Sequence, residues 1–403
     1  LPHLVVRAKN PSAPMFPPPR LFRFFCCLLI IALLPVSAMA APEAPPARGE
    51  LCLLPGLEKA LAQYHQLAAQ GGWPQVPAGP TLHEGDMDVR TPLLRQRLVA
   101  SGDLTAPTVE GSFFLFDTTL REAVQRFQAR HGLIADGLVG AKTLTELNVP
   151  LSERIRQLTA SLERCQPLPS LLEPRHILIN IADFTLKLYE DGELRLSMPV
   201  IVGKTYRQTP VFNGRISSLV LNPAWEVPHS IATKDLLPKI KKNPGYLRTS
   251  DIRVFRGWNP GTEVDSAGVD WASLSPSRFP YRLRQEPGPD NALGRVKFLF
   301  PNPYDVYLHD TPSRELFQKD DRTFSSGCIR LARPLELAVH LLQGTPLGSM
   351  EALTAAIAGE KTRTIPLPSP IAIYMAYMTA WVDRDGTVQF RRDIYNRDPV
   401  PQH

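Results

Sequence analysis

The residues of this chain best suited to covalent chemistry are one histidine and one cysteine within residues 307–331, YLHDTPSRELFQKDDRTFSSGCIRL. His309 ends an apolar run, and Cys328 follows Ser-Ser-Gly at the start of another. A thiol becomes a strong nucleophile when it loses its proton, and an imidazole can take that proton and later give it to a leaving amine. A glycine beside the cysteine lets a substrate carbonyl approach backbone N–H groups that stabilise an oxyanion. The pattern therefore predicts cysteine-based acyl transfer.

Residue types alone leave simpler roles open for both side chains. A single cysteine is more often buried and inert than catalytic, and a single histidine is often structural. Arg330 carries a planar guanidinium that would stabilise a thiolate or hold a substrate carboxylate. The assignment therefore depends on the surrounding sequence.

The segment from His309 to Arg330 resembles the signature of L,D-transpeptidases. That signature is a histidine, a loop, and then Ser/Thr-(His or Ser)-Gly-Cys-aliphatic-(Asn or Arg), which here is S-S-G-C-I-R. The resemblance extends through roughly 56–398. Over this range the chain is similar to the large periplasmic members that carry an inserted peptidoglycan-binding module. The segments that carry it beyond the signature are 203–240, 285–312 and 379–398.

The resemblance implies roles for individual residues. Cys328 would be the nucleophile and His309 the general base, with the backbone carbonyl of Asp310 orienting the imidazole. Backbone N–H groups of Gly327 and Cys328 would form the oxyanion hole. A common member has histidine where this chain has Ser326, which leaves the local hydrogen bond there open. The residues expected to line the donor-peptide groove are Ser326, Tyr307, Arg330 and Trp225, although plain core roles remain open for the two aromatic residues.

The implied reaction is cleavage of the L,D-amide between residues three and four of a tetrapeptide stem, with release of D-Ala and formation of a thioester. A side-chain amine of a neighbouring stem would then make a 3→3 cross-link, whereas water would make the enzyme an L,D-carboxypeptidase. Exchange with a free D-amino acid and transfer to a protein lysine are further outcomes. No metal or cofactor is implied, and carbapenems are expected to acylate the cysteine. A non-catalytic peptidoglycan-binding protein and a cysteine endopeptidase or amidase of the wall remain the rivals.

The charge of the chain does not indicate a nucleic-acid partner. The formal net charge is +6, but residues 1–40 contribute four basic and no acidic residues, and +2 remains without them. A Lys/Arg-rich stripe of the kind that binds nucleic acid is not apparent. The expected partners are instead peptidoglycan stem peptides and glycan.

Residues 1–40 have the features of a signal peptide. Arg20 and Arg23 precede an apolar run of 11 residues, 24–34, and Ala38-Met39-Ala40 provides a small-x-small cleavage pattern. The run is short for a membrane span, so a permanent anchor is the less favoured alternative. We therefore expect export, with no stable membrane span after cleavage. The resemblance to the large periplasmic members implies the periplasm of a Gram-negative envelope as the destination.

The cysteine count agrees with an exported protein that keeps one reactive thiol. Two of the five cysteines, Cys26 and Cys27, lie in the predicted leader. An odd number then remains, so at least one thiol is unpaired. Cys52 and Cys165 are able to pair in an oxidising compartment, although the sequence gives no distance between them.

Helical periodicity organises the N-terminal half of the chain. We assign residues 41–85 to a linker and a scaffold helix, residues 86–149 to a small helical module, and residues 150–173 to a second scaffold helix. The run 120–148, LREAVQRFQARHGLIADGLVGAKTLTELN, resembles the peptidoglycan-binding module of wall hydrolases. A generic three-helix spacer is the alternative.

From His176 the apolar period changes to two, which is typical of strands. We predict strands that include 211–221, 296–300 and 304–308, and a C-terminal hairpin from 371–382 and 388–395. The expected fold class is α+β multidomain, with a mainly-β catalytic domain over 174–398, a helical scaffold and a small three-helix module. Residues 232–285 interrupt the pattern and are predicted to form a lid insertion over the site.

Overall fold

The computed structural model describes residues 52–105, 112–257 and 261–399. The predicted signal peptide, 1–40, lies outside these residues. Within them, no helix is long and apolar enough to cross a membrane. The helices are α1 (Leu54–Ala69), α2 (Thr91–Ala100), α3 (Thr118–Arg130), α4 (Ala141–Leu147), α5 (Leu151–Cys165), α6 (Leu168–Leu171), α7 (His229–Ile231), α8 (Leu237–Lys242), α9 (Tyr246–Thr249), α10 (Pro334–Leu341) and α11 (Met350–Ala358).

Among the described elements, strands outnumber helices from residue 175 onward, as the change of period predicts. They are β1 (Arg175–Asn180), β2 (Thr185–Glu190), β3 (Glu193–Gly203), β4 (Asn213–Leu221), β5 (Trp225–Glu226), β6 (Ile252–Arg256), β7 (Thr262–Val264), β8 (Tyr281–Gln285), β9 (Val296–Leu299), β10 (Leu308–His309), β11 (Thr323–Ser325), β12 (Ile329–Leu331), β13 (Arg363–Ala376), β14 (Ala380–Val382) and β15 (Val388–Phe390). The predicted fold class, a mainly-β domain with a helical region, is confirmed.

The main sheet has the order β11-β3-β12-β10-β9-β4-β13-β1-β2, and β2 also pairs with β3. This last pairing closes the sheet into a barrel, which leaves few unpaired strand edges. Strands β2 and β3 meet at Asp191-Gly192, where both residues have positive φ angles of 53° and 81°, as a two-residue hairpin turn requires. The buried side chains of the barrel strands form the main core with α10 and α11.

The scaffold helices α1 and α5 pack against each other and against the outer face of the barrel. Leu178 and Tyr374 point to this layer, whereas their neighbours in β1 and β13 point to the barrel core. Because both faces are covered, β1 is buried along nearly its whole length. Cys52 and Cys165 are joined by a disulfide that ties the start of the described chain to the end of α5, with Cα atoms 5.4 Å apart.

We expect loss of this disulfide to lower the free energy of unfolding by about 3–5 kcal/mol, because the bond restricts a long loop in the unfolded chain. The bonded residues are 113 positions apart in sequence. Thermal unfolding of the Cys52→Ser variant measures the effect, and a thiol reductant should destabilise the parent but not the variant. Equal melting temperatures for parent and variant would contradict this expectation.

Helices α2, α3 and α4 surround a core of their own, as the helical module predicted from the sequence requires. The module packs against the C-terminal strands through His131, whose ring stacks on Phe127 at 3.9 Å and lies 5.6 Å from Phe390. Arg391 donates to the Arg130 carbonyl at 3.0 Å.

Two sequence predictions about strands are corrected by the structure. The run 371–382 is not one strand, because β13 ends at Ala376 and only β14 pairs with β15. Residues 371–376 instead pair with β1 and β4 inside the barrel. The run 304–308 is strand only at its end, where β10 begins. The first error arises because burial makes an apolar run look strand-like whether or not it pairs. The second arises because Asp305 has a positive φ angle of 52°, which interrupts an extended backbone.

The predicted lid is a small domain with its own sheet and core. Strands β5, β8, β6 and β7 form a four-stranded sheet, and the helical part includes a π-helical turn, Ala232–Leu236. The lid begins at Trp225 rather than at the predicted residue 232, because Trp225 pairs with Gln285 across β5 and β8. Its buried core, which includes Ile240, Leu247 and Leu283, is separate from that of the barrel.

Candidate active site

Two neighbouring strands of the barrel bring His309 and Cys328 to the same end of the sheet. Strands β10 and β12 run parallel, with Leu308 opposite Ile329 and His309 opposite Arg330. The Ile329 N–H donates to the carbonyl of Tyr307 at 3.1 Å. Cys328, which immediately precedes β12, therefore lies next to Tyr307 and close to the strand that carries His309.

The alternation of side chains along these strands separates core residues from candidate functional residues. Leu308 and Ile329 are fully buried in the barrel core. Residues on either side of them point to the opposite face. The side chains that share this opposite face are Tyr307 just before β10 and His309 on it, Cys328 just before β12 and Arg330 on it, and Lys297 on β9, which is paired with His309.

The thiol of Cys328 is half-buried and unpaired. Its sulfur lies 3.9 Å from the carbonyl oxygen of Asp305, and Tyr307 offers it hydrogen bonds from both backbone and side chain. Within the described residues, no hydrogen bond joins the sulfur to the His309 ring. Catalytic hydrogen bonds are often long before substrate binds, so this spacing leaves proton transfer during attack available.

The orientation of the His309 ring is fixed by a backbone carbonyl, as the family resemblance implies. The Nδ1 atom lies 2.5 Å from the carbonyl oxygen of Asp310. A carbonyl only accepts, so Nδ1 carries the proton of the neutral ring and Nε2 keeps the free lone pair. The Asp310 carboxylate has a different use, because it accepts from the Arg295 N–H and pairs with Arg314.

Electrostatics keep both members of the pair neutral at rest. Burial first, and then the nearby cations Arg330 and Lys297, lower the pKa of His309 to about 3, against the hydrogen bond to Asp310. Burial raises the pKa of the Cys328 thiol, although Tyr307, Lys297 and Arg330 oppose that rise. A resting thiolate–imidazolium pair is therefore disfavoured, and the proton moves only as the sulfur attacks.

The structure of the loop before Cys328 corrects the prediction that the Gly327 N–H belongs to the oxyanion hole. The Gly327 N–H donates to the Ser325 hydroxyl at 3.1 Å, so it is not free to bind an oxyanion. The Cys328 N–H has no acceptor within the described residues and remains the candidate donor. Gly327 has a φ angle of +115°, a conformation that side chains disfavour, and this explains the glycine before the cysteine.

A cavity of about 990 Å³ opens over this face and continues under the lid. Six cationic side chains line it against three acidic ones, so the cavity favours a ligand with carboxylates. Arg330 lines the cavity, and its buried Nε atom has no hydrogen-bond partner within the described residues. Burial lowers the pKa of Arg330, and an incoming carboxylate would relieve that cost.

The lid contacts the nucleophile loop through Arg207. Its guanidinium forms an ion pair with Asp235 of the lid and donates to the Ser326 hydroxyl at 2.9 Å. Ser326 therefore faces the lid, and the local hydrogen bond that the sequence left open at Ser326 is made with an arginine. Trp225, on the first lid strand, lines the same cavity and lies within hydrogen-bonding reach of the Tyr307 hydroxyl.

Comparison with known families agrees with this site. Residues 174–347 match the model of the L,D-transpeptidase catalytic domain, and His309, Cys328 and Arg330 all fall within the match. This chain contains an L,D-transpeptidase catalytic domain. Strands β13, β14 and β15 lie beyond the matched residues, so the predicted bounds 174–398 of the L,D-transpeptidase domain stay a prediction.

The helical module also matches a family. Residues 91–147 match the model described as "Putative peptidoglycan binding domain", within the range 86–149 predicted from the sequence. A Haemophilus influenzae protein named "Putative L,D-transpeptidase" is 39% identical over 222 residues, which cover 55% of this chain and 44% of that protein. The match therefore spans less than half of the relative.

Solved structures of L,D-transpeptidases align with this chain at low sequence identity and low TM-score. One from Stackebrandtia nassauensis covers 78% of this chain and 99% of its own, with 12% identity and a TM-score of 0.25. L,D-transpeptidase 3 from Mycobacterium tuberculosis covers 50% of this chain and 60% of its own, with 13% identity and a TM-score of 0.24. These overlaps carry no argument about the site of the L,D-transpeptidase domain.

Sequence reasoning missed two side chains of this L,D-transpeptidase site, Lys297 and Arg207. The sequence pattern predicts only a strand position for Lys297, although it is a charged residue between apolar neighbours in the run VKFLF. Its ammonium lies 3.7 Å from the centre of the Tyr307 ring. Arg207 gave no sequence signal, because its partners Asp235 and Ser326 are distant in the chain.

We expect the Lys297→Met variant to react more slowly with iodoacetamide at pH 8, by about three- to tenfold. Lys297 lowers the pKa of the Cys328 thiol, and each unit of pKa changes the thiolate fraction about tenfold. The pH dependence of alkylation measures the change. Lys239→Met is the matched control, because Lys239 lines the same cavity but does not shift the thiol. An unchanged alkylation profile for Lys297→Met would contradict the electrostatic role.

Proposed function

We propose that this chain is a peptidoglycan L,D-transpeptidase that forms 3→3 cross-links through a thioester on Cys328. The observation that carries the proposal is the shared face of Cys328, His309 and Arg330 at the floor of a cationic cavity, within the residues that match the L,D-transpeptidase catalytic domain. A stem peptide carries carboxylates and a D-alanyl amide. It is therefore the kind of ligand that this cavity favours.

The chemistry follows from the geometry of the pair. The Cys328 sulfur attacks the carbonyl carbon of the L,D-amide while its proton passes to Nε2 of His309. The Cys328 N–H would donate to the oxyanion. The imidazolium then gives its proton to the departing D-Ala amine, which leaves the thioester. Its low pKa makes that donation favourable.

An acceptor amine completes the reaction. The side-chain amine of residue three on a second stem attacks the thioester, His309 takes its proton, and the sulfur leaves as the thiol. We assign Arg330 to a donor-stem carboxylate, because its Nε atom is buried without a protein partner. Tyr307 and Trp225 would form the wall against which the donor peptide lies. Carbapenems would acylate the same sulfur.

The cellular setting belongs to the same proposal. The Cys52–Cys165 disulfide suits an oxidising compartment, and the sequence of residues 1–40 predicts export. We therefore propose a periplasmic enzyme whose helical module holds peptidoglycan while the catalytic domain acts on its stems. The match of residues 91–147 to a peptidoglycan-binding family supports this division of labour.

Incubation with a disaccharide-tetrapeptide tests the proposal. The unmodified chain should release D-Ala and give cross-linked dimers in mass spectra of the products, whereas Cys328→Ala should give neither. D-Ala release without dimers would make the enzyme an L,D-carboxypeptidase. Cleavage at another bond would indicate a cysteine endopeptidase or amidase, and binding without turnover would indicate a peptidoglycan-binding protein.

A further inference from the structure

The loop that carries Cys328 is held by hydroxyl groups from outside the catalytic pair. Thr209, which is fully buried, donates from its hydroxyl to the carbonyl of Gly327 at 2.9 Å. The same hydroxyl accepts the N–H of Gly203 at 2.9 Å, so the donor and acceptor capacities of Thr209 are both used. The Thr209 hydroxyl therefore connects the end of β3 to the peptide unit before the nucleophile.

The orientation of that peptide unit determines where the oxyanion donor points. The Gly327 carbonyl and the Cys328 N–H belong to one trans peptide, so they point in opposite directions. Because Thr209 holds the carbonyl toward the buried side, the Cys328 N–H is turned to the other side, where the cavity lies. We propose that Thr209 is a positioning residue that fixes the oxyanion donor of the active site.

The flanking peptide units are held separately, which isolates the contribution of Thr209. The Ser325 hydroxyl accepts the Gly327 N–H at 3.1 Å and donates to the Cys328 carbonyl at 2.5 Å. Only the peptide between Gly327 and Cys328 depends on Thr209. Gly327 is not tightly packed, since nothing lies nearer than 3.8 Å to a Cβ built there, and the hydrogen bond from Thr209 is the contact that holds its carbonyl.

The C-terminal segment holds Thr209 in place. The Tyr395 hydroxyl donates to the Gly203 carbonyl at 2.5 Å and accepts the Thr209 N–H at 3.2 Å. The Tyr395 N–H in turn donates to the Tyr377 hydroxyl at 2.9 Å. This chain of buried contacts extends beyond the residues that match the catalytic family, so the C-terminal segment contributes to the order of the site.

Thr209→Val tests the proposal because valine keeps the shape and removes the hydroxyl. The inference rests on the proposed function, so two reactions of Cys328 are compared. Acylation by imipenem passes through an oxyanion, whereas alkylation by iodoacetamide is a direct displacement without one. We expect acylation and D-Ala release to fall about 10- to 100-fold, by reduced kcat at similar KM. Alkylation and its pH profile should stay within about twofold.

Thr209→Ser keeps the hydroxyl and should restore acylation to within about threefold. Thermal unfolding of all variants checks that they are folded at the assay temperature. Equal losses of acylation and alkylation, or failure of serine to restore acylation, would show a general loosening of the active-site loop and overturn the proposal. Unchanged acylation in Thr209→Val would also overturn it. Absence of any acylation in the unmodified chain would instead overturn the proposed function, and the positioning role with it.

Discussion

The Cys328→Ser variant is expected to lose acyl transfer by at least about 10³-fold, because a serine hydroxyl is a far weaker nucleophile than a thiol beside a neutral imidazole. Intact mass spectrometry with imipenem gives the readout, since the unmodified chain should gain one adduct and the variant none. Release of D-Ala from a disaccharide-tetrapeptide should fall in parallel.

A comparison of two variants separates loss of the nucleophile from loss of folding. Cys328→Ala should unfold at nearly the same temperature as the unmodified chain, because the thiol is half-buried, its contact with the Asp305 carbonyl is long at 3.9 Å, and its hydrogen bonds with Tyr307 favour mainly the thiolate. Imipenem adducts on Cys328→Ser in the same amount as on the unmodified chain would place the chemistry elsewhere and refute the assignment.

The His309→Asn variant is expected to acylate about 10²- to 10⁴-fold more slowly, the usual contribution of a positioned base. Asparagine is able to donate to the Asp310 carbonyl but cannot take a proton from the thiol. Rapid-mixing measurement of imipenem acylation gives the rate. The matched control is His340→Asn, because His340 lies on α10 and does not line the cavity. Equal rates for the two variants would remove His309 from the mechanism.

The pH profile of the unmodified chain extends this prediction. The basic form of His309 exists above its pKa of about 3, so lowering the pH from 8 to 5 leaves the base intact. An unperturbed histidine would lose half of its basic form near pH 6.5. The Cys328 pKa is raised, so direct thiolate reaction should increase only on the alkaline side. An acid limb near pH 6.5 in the acylation rate would contradict the neutral pair.

The local sequence indicated the residues that we propose for the chemistry of the site. The alternation around Leu308 and Ile329 and the glycine before Cys328 are short-range features, and the structure gives each a physical reason. Helical and strand periods likewise indicated the scaffold, the helical module and a mainly-β domain, because each pattern reflects one buried face. The disulfide remained open because its two cysteines meet only after folding.

Features that depend on contacts between distant segments were not predictable. The lid starts at Trp225 because Trp225 pairs with Gln285, and no local sequence signal indicates that pairing. The use of the Gly327 N–H by Ser325 follows from the loop geometry. The pKa values of Cys328 and His309 depend first on burial and then on Lys297 and Arg330, which reach them across strand registers set by folding.

The separate core of the lid has a consequence for motion. A segment with its own sheet and buried side chains is able to open as one cooperative unit while the barrel strands keep their hydrogen bonds. The amide hydrogens of β6, which pairs with β7 and β8 in the lid sheet, should therefore exchange with solvent deuterium sooner than those of β13, which pairs with β1 and β4 in the barrel. A bound stem peptide that touches both units would slow exchange in the lid and leave the barrel nearly unchanged.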